Sequence, residues 1–156
     1  MTDLDLGEYL PYLLNRAGTR IATAFAAAVR EHGVTLPMWR VLAALHQRED
    51  QRLGELAEST SIEVSTLSRL VGSLQDRGLV ERRRSSGDGR SVTVGRTTAG
   101  RALTARIIPL ARRYEDVALA GFSAAEADAL KGMLRRLYTN MAALHDAEPV
   151  QEREQV

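Results

Sequence analysis

Cysteine is absent from the 156 residues, which excludes disulfides, thiolate metal ligands and thiol redox sensing from this chain. The absence fits a cytoplasmic setting. Aromatics amount to only 4%, lean for a protein that stacks on bases, and this argues against a single-strand binder. No stretch approaches the roughly 20 uncharged apolar residues of a membrane span, so no membrane partner is expected. The opening decapeptide, MTDLDLGEYL, is acidic and lacks the basic start of a secretory signal. Also missing are metal-ligand spacings, a Gly-rich phosphate loop and a Ser-His-Asp grouping. The histidines, His32, His46 and His145, are scattered. No enzymatic activity, metal or cofactor is expected.

What is present is enough apolar material for a core, 44% of residues, in a length that suits one compact domain or a small lobe plus a helical one. The formal net charge is only +1, but it is unevenly spread. Residues 64–96 hold seven arginines (Arg69, Arg77, Arg82, Arg83, Arg84, Arg90, Arg96) against three acids (Asp76, Glu81, Asp88). The segment before is net acidic and the segment after is balanced. Such concentration is the electrostatic footprint expected on DNA; on charge alone, a solvated surface explains it equally well.

Apolar residues recur at three- and four-residue steps from Glu8 to Glu31, predicting a long helix that Gly33 stops. Thr35 is the expected N-cap of a second helix, with Pro37 in its first turn. Leu53, Leu56 and Ala57 mark a third helix, and Val64, Leu67, Leu70, Val71 and Leu74 a fourth, ended by Gly78. Leu79 to Arg84 and Ser91 to Gly95 read as extended, and the turn-rich link 85–90 should close a hairpin. A long helix capped by Thr97 or Thr98 follows, with a kink or break expected near Arg106–Ile108 because Pro109 lies inside it. Ser123-x-x-Glu126 is a capping box for the last helix.

The order short helix, turn, helix, hairpin is that of a winged helix-turn-helix. The helix at 64–77 is the candidate reading helix. Its polar face carries Ser65, Thr66, Ser68, Arg69, Gly72, Ser73 and Gln75, small and hydroxyl-rich with one long Arg. Such a face sits deep in a major groove, where hydroxyls bond phosphates or base edges and Arg forks onto guanine. Only Asp76, at the far end, adds repulsion. In the hairpin, Arg82 and Arg84 share one strand face and Arg83 points to the other. Arg90, oriented by Asp88, is placed to enter a narrow minor groove. For Arg83 an ordinary exposed charge is the better reading.

Residues 34–100 resemble the MarR family (multiple antibiotic resistance regulators) in VSTLSRLVGSLQDRGLVERR and in Asp88-x-Arg90 followed by Thr97-x-x-Gly100. Arg96 departs from the Leu usual before the Thr, which puts local packing there in question. The resemblance implies a mainly α fold with a small β-hairpin wing, as a single MarR-like domain over 1–156. A winged helix-turn-helix lobe would occupy 34–96, dimerisation helices 8–31 and 98–146, and a flexible tail 147–156. It implies a homodimer whose reading helices enter successive major grooves of a pseudo-palindromic double-stranded operator, with Arg90 at the wing tip. Many members are repressors released by a small anionic or aromatic ligand in a cleft between the dimer helices and the DNA lobe. The outer helices, apolar and long for a lobe of this size, independently favour a partner surface.

The effector site is less legible. Arg16 and Arg20 lie one turn apart on the first helix, and Trp39, Arg40 and His46 lie on the second. Arg beside an aromatic suits a phenolic acid or an acyl-CoA thioester; a core Trp, solvated arginines and a helix-end His are the plainer roles. The alternative to a ligand-responsive regulator is a dimeric architectural or protein-interaction module without an effector.

Overall fold

A computed structural model of the chain describes residues 4–84 and 92–147. The order is α1 (Leu10–Arg30), α2 (Leu36–Gln47), α3 (Leu53–Thr60), α4 (Val64–Asp76), β1 (Val80–Arg84), β2 (Val92–Arg96), α5 (Thr98–Ala118) and α6 (Ala124–Ala147). The chain divides into two compact units, meeting in sequence at Glu115 and Asp116.

In the first unit, α2, α3 and α4 enclose a core with β1 and β2. Leu67, Val71 and Leu74 of α4 are fully buried, as are Val41, Leu42 and Leu45 of α2; the spacing places each set on one helical face. Phe25 of α1 meets Trp39 edge-on, with centroids 6.1 Å apart, and Tyr114 of α5 at 5.4 Å. The expected cap of α2 forms, the Thr35 hydroxyl accepting from the Met38 amide at 3.4 Å. Gly78 ends α4 at φ +68°, a backbone conformation that favours glycine.

The start of α5 is tied to the end of α4. The Thr97 hydroxyl accepts from the Gly100 amide (3.0 Å) and donates to the Gly78 carbonyl (2.6 Å). The Thr97 amide donates to Leu79 at 3.1 Å. Gly100 is required by close approach, since a Cβ there would lie 1.9 Å from the Leu79 carbonyl oxygen. Thr97-x-x-Gly100 is therefore a packing device.

β1 and β2 pair antiparallel, with Val80 opposite Arg96 and Arg84 opposite Val92. Val94 is buried while Val92 is half exposed, because the hairpin runs outward past the edge of the core. Gln51, in the α2–α3 connection, forms an isolated antiparallel bridge with Val94. This one-residue third strand was not expected. The expected break in α5 is corrected: the helix runs unbroken through Pro109. Pro109 and Ala105 are both exposed, so the carbonyl that loses its helical partner faces water.

In the second unit the capping box of α6 is complete. Glu126 accepts from the Ser123 amide and hydroxyl, both at 2.8 Å, and the Ser123 hydroxyl accepts from the Glu126 amide at 3.3 Å. These bonds, the Ser123 amide first, hold the Glu126 carboxyl below its ordinary range. α6 exposes Met133, Leu134, Tyr138 and Met141.

Candidate nucleic-acid interface

The reading-helix candidate, α4, begins at Glu63. Its carboxylate accepts from the amides of Ser65 (3.1 Å) and Thr66 (3.2 Å) and from both their hydroxyls. The Ser65 hydroxyl contributes most, and together these bonds hold the Glu63 carboxyl below the usual carboxylate range. The polar face therefore carries an acid at its N-terminal end as well as Asp76 at the other, and the sequence reading missed it. With its proton committed to Glu63, the Ser65 oxygen offers lone pairs outward.

Ser65, Thr66 and Arg69 are exposed, whereas Ser68 and Ser73 are half-buried. Ser65, Arg69 and Ser73 form one row at four-residue steps. Arg69 makes no ion pair among the described residues.

The seven arginines of the basic stretch divide by partner. Arg77 donates to the Gly33 carbonyl and to Met38 Sδ (3.6 Å), pinning the end of α4. Arg83 is bound by Glu81 (2.5 Å) and Asp50 (2.8 Å), and the Glu81 bond chiefly raises its pKa. Arg96 is buried. Arg82 and Arg84 are exposed on the other strand face and, like Arg69, form no ion pair among the described residues. Asp88 and Arg90 lie outside the described residues.

The root of the hairpin is held by three consecutive residues. Glu49 Oε1 accepts from Arg96 Nε (2.9 Å) and Nη2 (2.5 Å) and from Arg101 Nη1 (3.3 Å), and Oε2 accepts from the Arg96 amide (3.3 Å). Asp50 holds Arg83. Gln51 exchanges backbone bonds with Val94 at 3.1 and 2.8 Å, and its carboxamide donates to the Ala44 and Arg48 carbonyls. Arg96 Nη1 also lies 3.2 Å from His46 Nδ1. Burial works to raise the Glu49 carboxyl, but the Arg96 and Arg101 bonds outweigh it and leave the carboxyl below its ordinary range.

The four effector candidates do not share a cleft. An open cleft of about 960 Å³ between α2 and α3 is lined by Trp39, Arg40, Arg48, Gln51, Glu55 and Glu58, among others. Trp39 contributes an edge only, being largely buried. A second cleft, of about 820 Å³, follows α1 past Asn15, Arg16, Thr19, Arg20 and Thr23, and Arg16 also lies over the Tyr12 ring at 5.6 Å. His46 lines neither and is engaged with Arg96. Among the described residues no acid–histidine group that could hold a metal occurs.

A helix-turn-helix followed by a two-stranded wing, flanked by long helices, defines a winged-helix protein of the kind found in transcriptional regulators. A sequence model of the MarR family matches residues 32–91. The transcriptional repressor Rv2887 of Mycobacterium tuberculosis is 33% identical over 82% of this chain and 92% of its own. Its crystal structure with salicylic acid superposes with a TM-score of 0.67 over 87% of this chain and 98% of that one, at 32% identity. A MarR family regulator from Silicibacter pomeroyi gives a TM-score of 0.80 at 30% identity, covering 97% of this chain and 98% of its own. Bordetella bronchiseptica BpsR, whose DNA binding is regulated by 6-hydroxynicotinic acid, gives 0.74 at 27% identity over 83% and 98% of the two chains. The chain belongs to the MarR family of transcriptional regulators.

Proposed function

We propose that this chain is a homodimeric repressor that binds a pseudo-palindromic double-stranded operator and is released by a small anionic or aromatic ligand. The observation that carries the reading is the cationic surface formed by Arg69 on α4 and by Arg82 and Arg84 on β1, which form no ion pair among the described residues. Where a guanidinium in this stretch has an internal role, an acid or carbonyl holds it, as with Arg77, Arg83 and Arg96. The guanidiniums of Arg69, Arg82 and Arg84 remain for phosphates and base edges. Ser65, Thr66, Ser68 and Ser73 supply the small hydroxyl face, and Asp88 and Arg90 the wing tip.

Association is favoured by the apolar side chains that each unit exposes: Leu10, Leu13, Leu14 and Ile21 on α1, and Met133, Leu134, Tyr138 and Met141 on α6. Clusters of this kind on a stable protein are commonly covered by a partner. The assigned parts are then the lobe at 34–96, dimerisation helices at 8–31 and 98–146, and a tail at 147–156. No helix among the described residues is long and apolar enough to cross a membrane, and a cytoplasmic site of action fits the reading.

For the effector, two similar proteins meet aromatic acids: Rv2887 forms a complex with salicylic acid, and 6-hydroxynicotinic acid regulates DNA binding by BpsR. A carboxylate on an aromatic ring suits the guanidiniums of Arg16 and Arg20 on α1 or of Arg40 beside Trp39 on α2; a phenolic acid or an acyl-CoA thioester is the class proposed.

The deciding test is fluorescence anisotropy with a duplex selected by the protein from a random pool. A preference over random duplex of more than a thousandfold at physiological salt is expected, on the order of that seen for specific regulators. A ratio below tenfold would remove the repressor reading in favour of an architectural module. A thermal-shift series with salicylate and 6-hydroxynicotinate tests the effector, since a ligand at 100 times its Kd adds about 2.7 kcal/mol of stability.

A further inference from the structure

We infer that Glu49 is a positioning residue for the wing, fixing β2 against the end of α2 and the first turn of α5 through Arg96 and Arg101. The functional meaning of that position rests on the DNA-binding reading above.

Three observations converge. Glu49 serves two arginines from different elements at once, Arg96 at the base of β2 and Arg101 at the start of α5. Its second oxygen accepts the Arg96 amide, so the bond fixes the β2 backbone as well as its side chain. The Arg96 side chain is only 6% exposed, and a guanidinium so placed demands a carboxylate. Its remaining contact, His46 Nδ1, lies in the last turn of α2, three residues before Glu49.

Neighbouring residues reinforce the same joint. Asp50 grips Arg83 of β1 and Gln51 bridges Val94 of β2. Glu49 holds the charged, buried side of this clamp. Arg96, through Glu49, therefore makes a polar joint between β2, the α2–α3 connection and the first turn of α5.

The inference makes a prediction opposite in sign to simple electrostatics. Glu49→Gln removes a negative charge from a lobe that meets phosphates, so charge alone predicts tighter DNA binding. Positioning predicts weaker binding to the selected duplex.

Amide hydrogen exchange on the DNA-free full chain provides a readout independent of DNA. In Glu49→Gln the Val94 amide, bonded to the Gln51 carbonyl, should exchange about tenfold faster, while the Val71 amide in α4 keeps its wild-type rate. The selected duplex should bind about tenfold more weakly and random duplex no more weakly than to wild type. Arg96→Leu should give the same gain in Val94 exchange, and the double variant no more than either single one. Unchanged Val94 exchange in both variants overturns the inference, as does selected-duplex binding as tight as wild type or tighter. A wild-type protein without operator preference sinks the DNA-binding reading alone, and Val94 exchange then decides the joint. Should Glu49→Gln fail to fold, Arg96→Leu carries the exchange test.

Discussion

Arg96 and Glu49, 47 residues apart, form the one ion pair among the described residues whose guanidinium is buried: its side chain is 6% exposed against 33% for Glu49. Each half depends on the other unequally. Removing the acid strands a desolvated cation, whereas replacing the cation by a hydrocarbon of similar bulk removes the need for the acid. Glu49→Ala should therefore cost about 2 kcal/mol, below the roughly 3–5 kcal/mol of a fully buried pair because Glu49 is partly solvated. Arg96→Leu should stay within about 1 kcal/mol of wild type in global stability, while the wing opens locally. Urea unfolding of both variants, followed by circular dichroism, measures the contrast; equal losses would contradict it.

The same pair gives stability a pH dependence. The Glu49 carboxyl is held below its ordinary value of 4.5 by Arg96 and Arg101, against the opposing effect of burial. A depressed folded-state value means that the unfolded chain binds the proton more readily. The contribution is thus fully present above the ordinary value and is lost as pH falls through the folded one. Between neutrality and pH 5 Glu49 should leave stability flat. Below about pH 4.5 stability should fall, and Glu49→Gln should fall less steeply than wild type. Chemical denaturation at stepped pH reads the difference in slope.

Two glycines at the wing separate a rigid obstruction from a soft one. At Gly100 an added Cβ would meet the Leu79 carbonyl oxygen at 1.9 Å, and backbone on both sides would have to move. At Gly95 it would meet Asp50 Oδ1 at 2.5 Å and Arg83 Nη1 at 2.8 Å, both side-chain ends that can rotate away. Gly100→Ala should cost about 3 kcal/mol and Gly95→Ala about 1 kcal/mol, the latter largely the loss of the Asp50–Arg83 pair. Thermal unfolding of the two variants side by side checks the order.

These differences mark where the sequence is legible. The helices of the first unit follow from periodicity because burial acts on one face: Leu67, Val71 and Leu74 are apolar and are the residues sealed in. The caps at Thr35 and Ser123 follow because their partners lie three residues away. The Arg96–Glu49 joint spans two elements and carries no local pattern, and a strand of one residue, Gln51, has no period to detect. Strand alternation already sets Arg83 apart from Arg82 and Arg84, but only the fold shows that Arg77, Arg83 and Arg96 find internal acceptors while Arg69, Arg82 and Arg84 form no ion pair among the described residues. Glu63 was missed because Glu is not among the Ser, Thr, Asp and Asn residues that ordinarily mark an N-cap. At Pro109 the helix does not break, because the one carbonyl that loses its partner is exposed to water and the helix on either side of that carbonyl is packed through Leu103 and Ile107.

Arg69 and the pair Arg82–Arg84 should answer differently to truncation. Arg69 projects from the middle of α4, in a row with Ser65 and Ser73, where the floor of the major groove would lie. Arg82 and Arg84 line one edge of the wing, where phosphates would pass. Arg69→Ala should cost about 1–3 kcal/mol on the selected duplex and relax the choice of base at one position per half-site. Random-duplex affinity should change little. Arg82→Ala and Arg84→Ala should weaken both duplexes alike, each lowering the slope of log K against log salt by about one. Competition binding across single-substituted duplexes at several salt concentrations distinguishes the two behaviours. A uniform loss for Arg69→Ala with a lower salt slope would make Arg69 a phosphate contact. Base discrimination would then pass to Ser65, whose outward lone pairs suit the amino groups of cytosine and adenine.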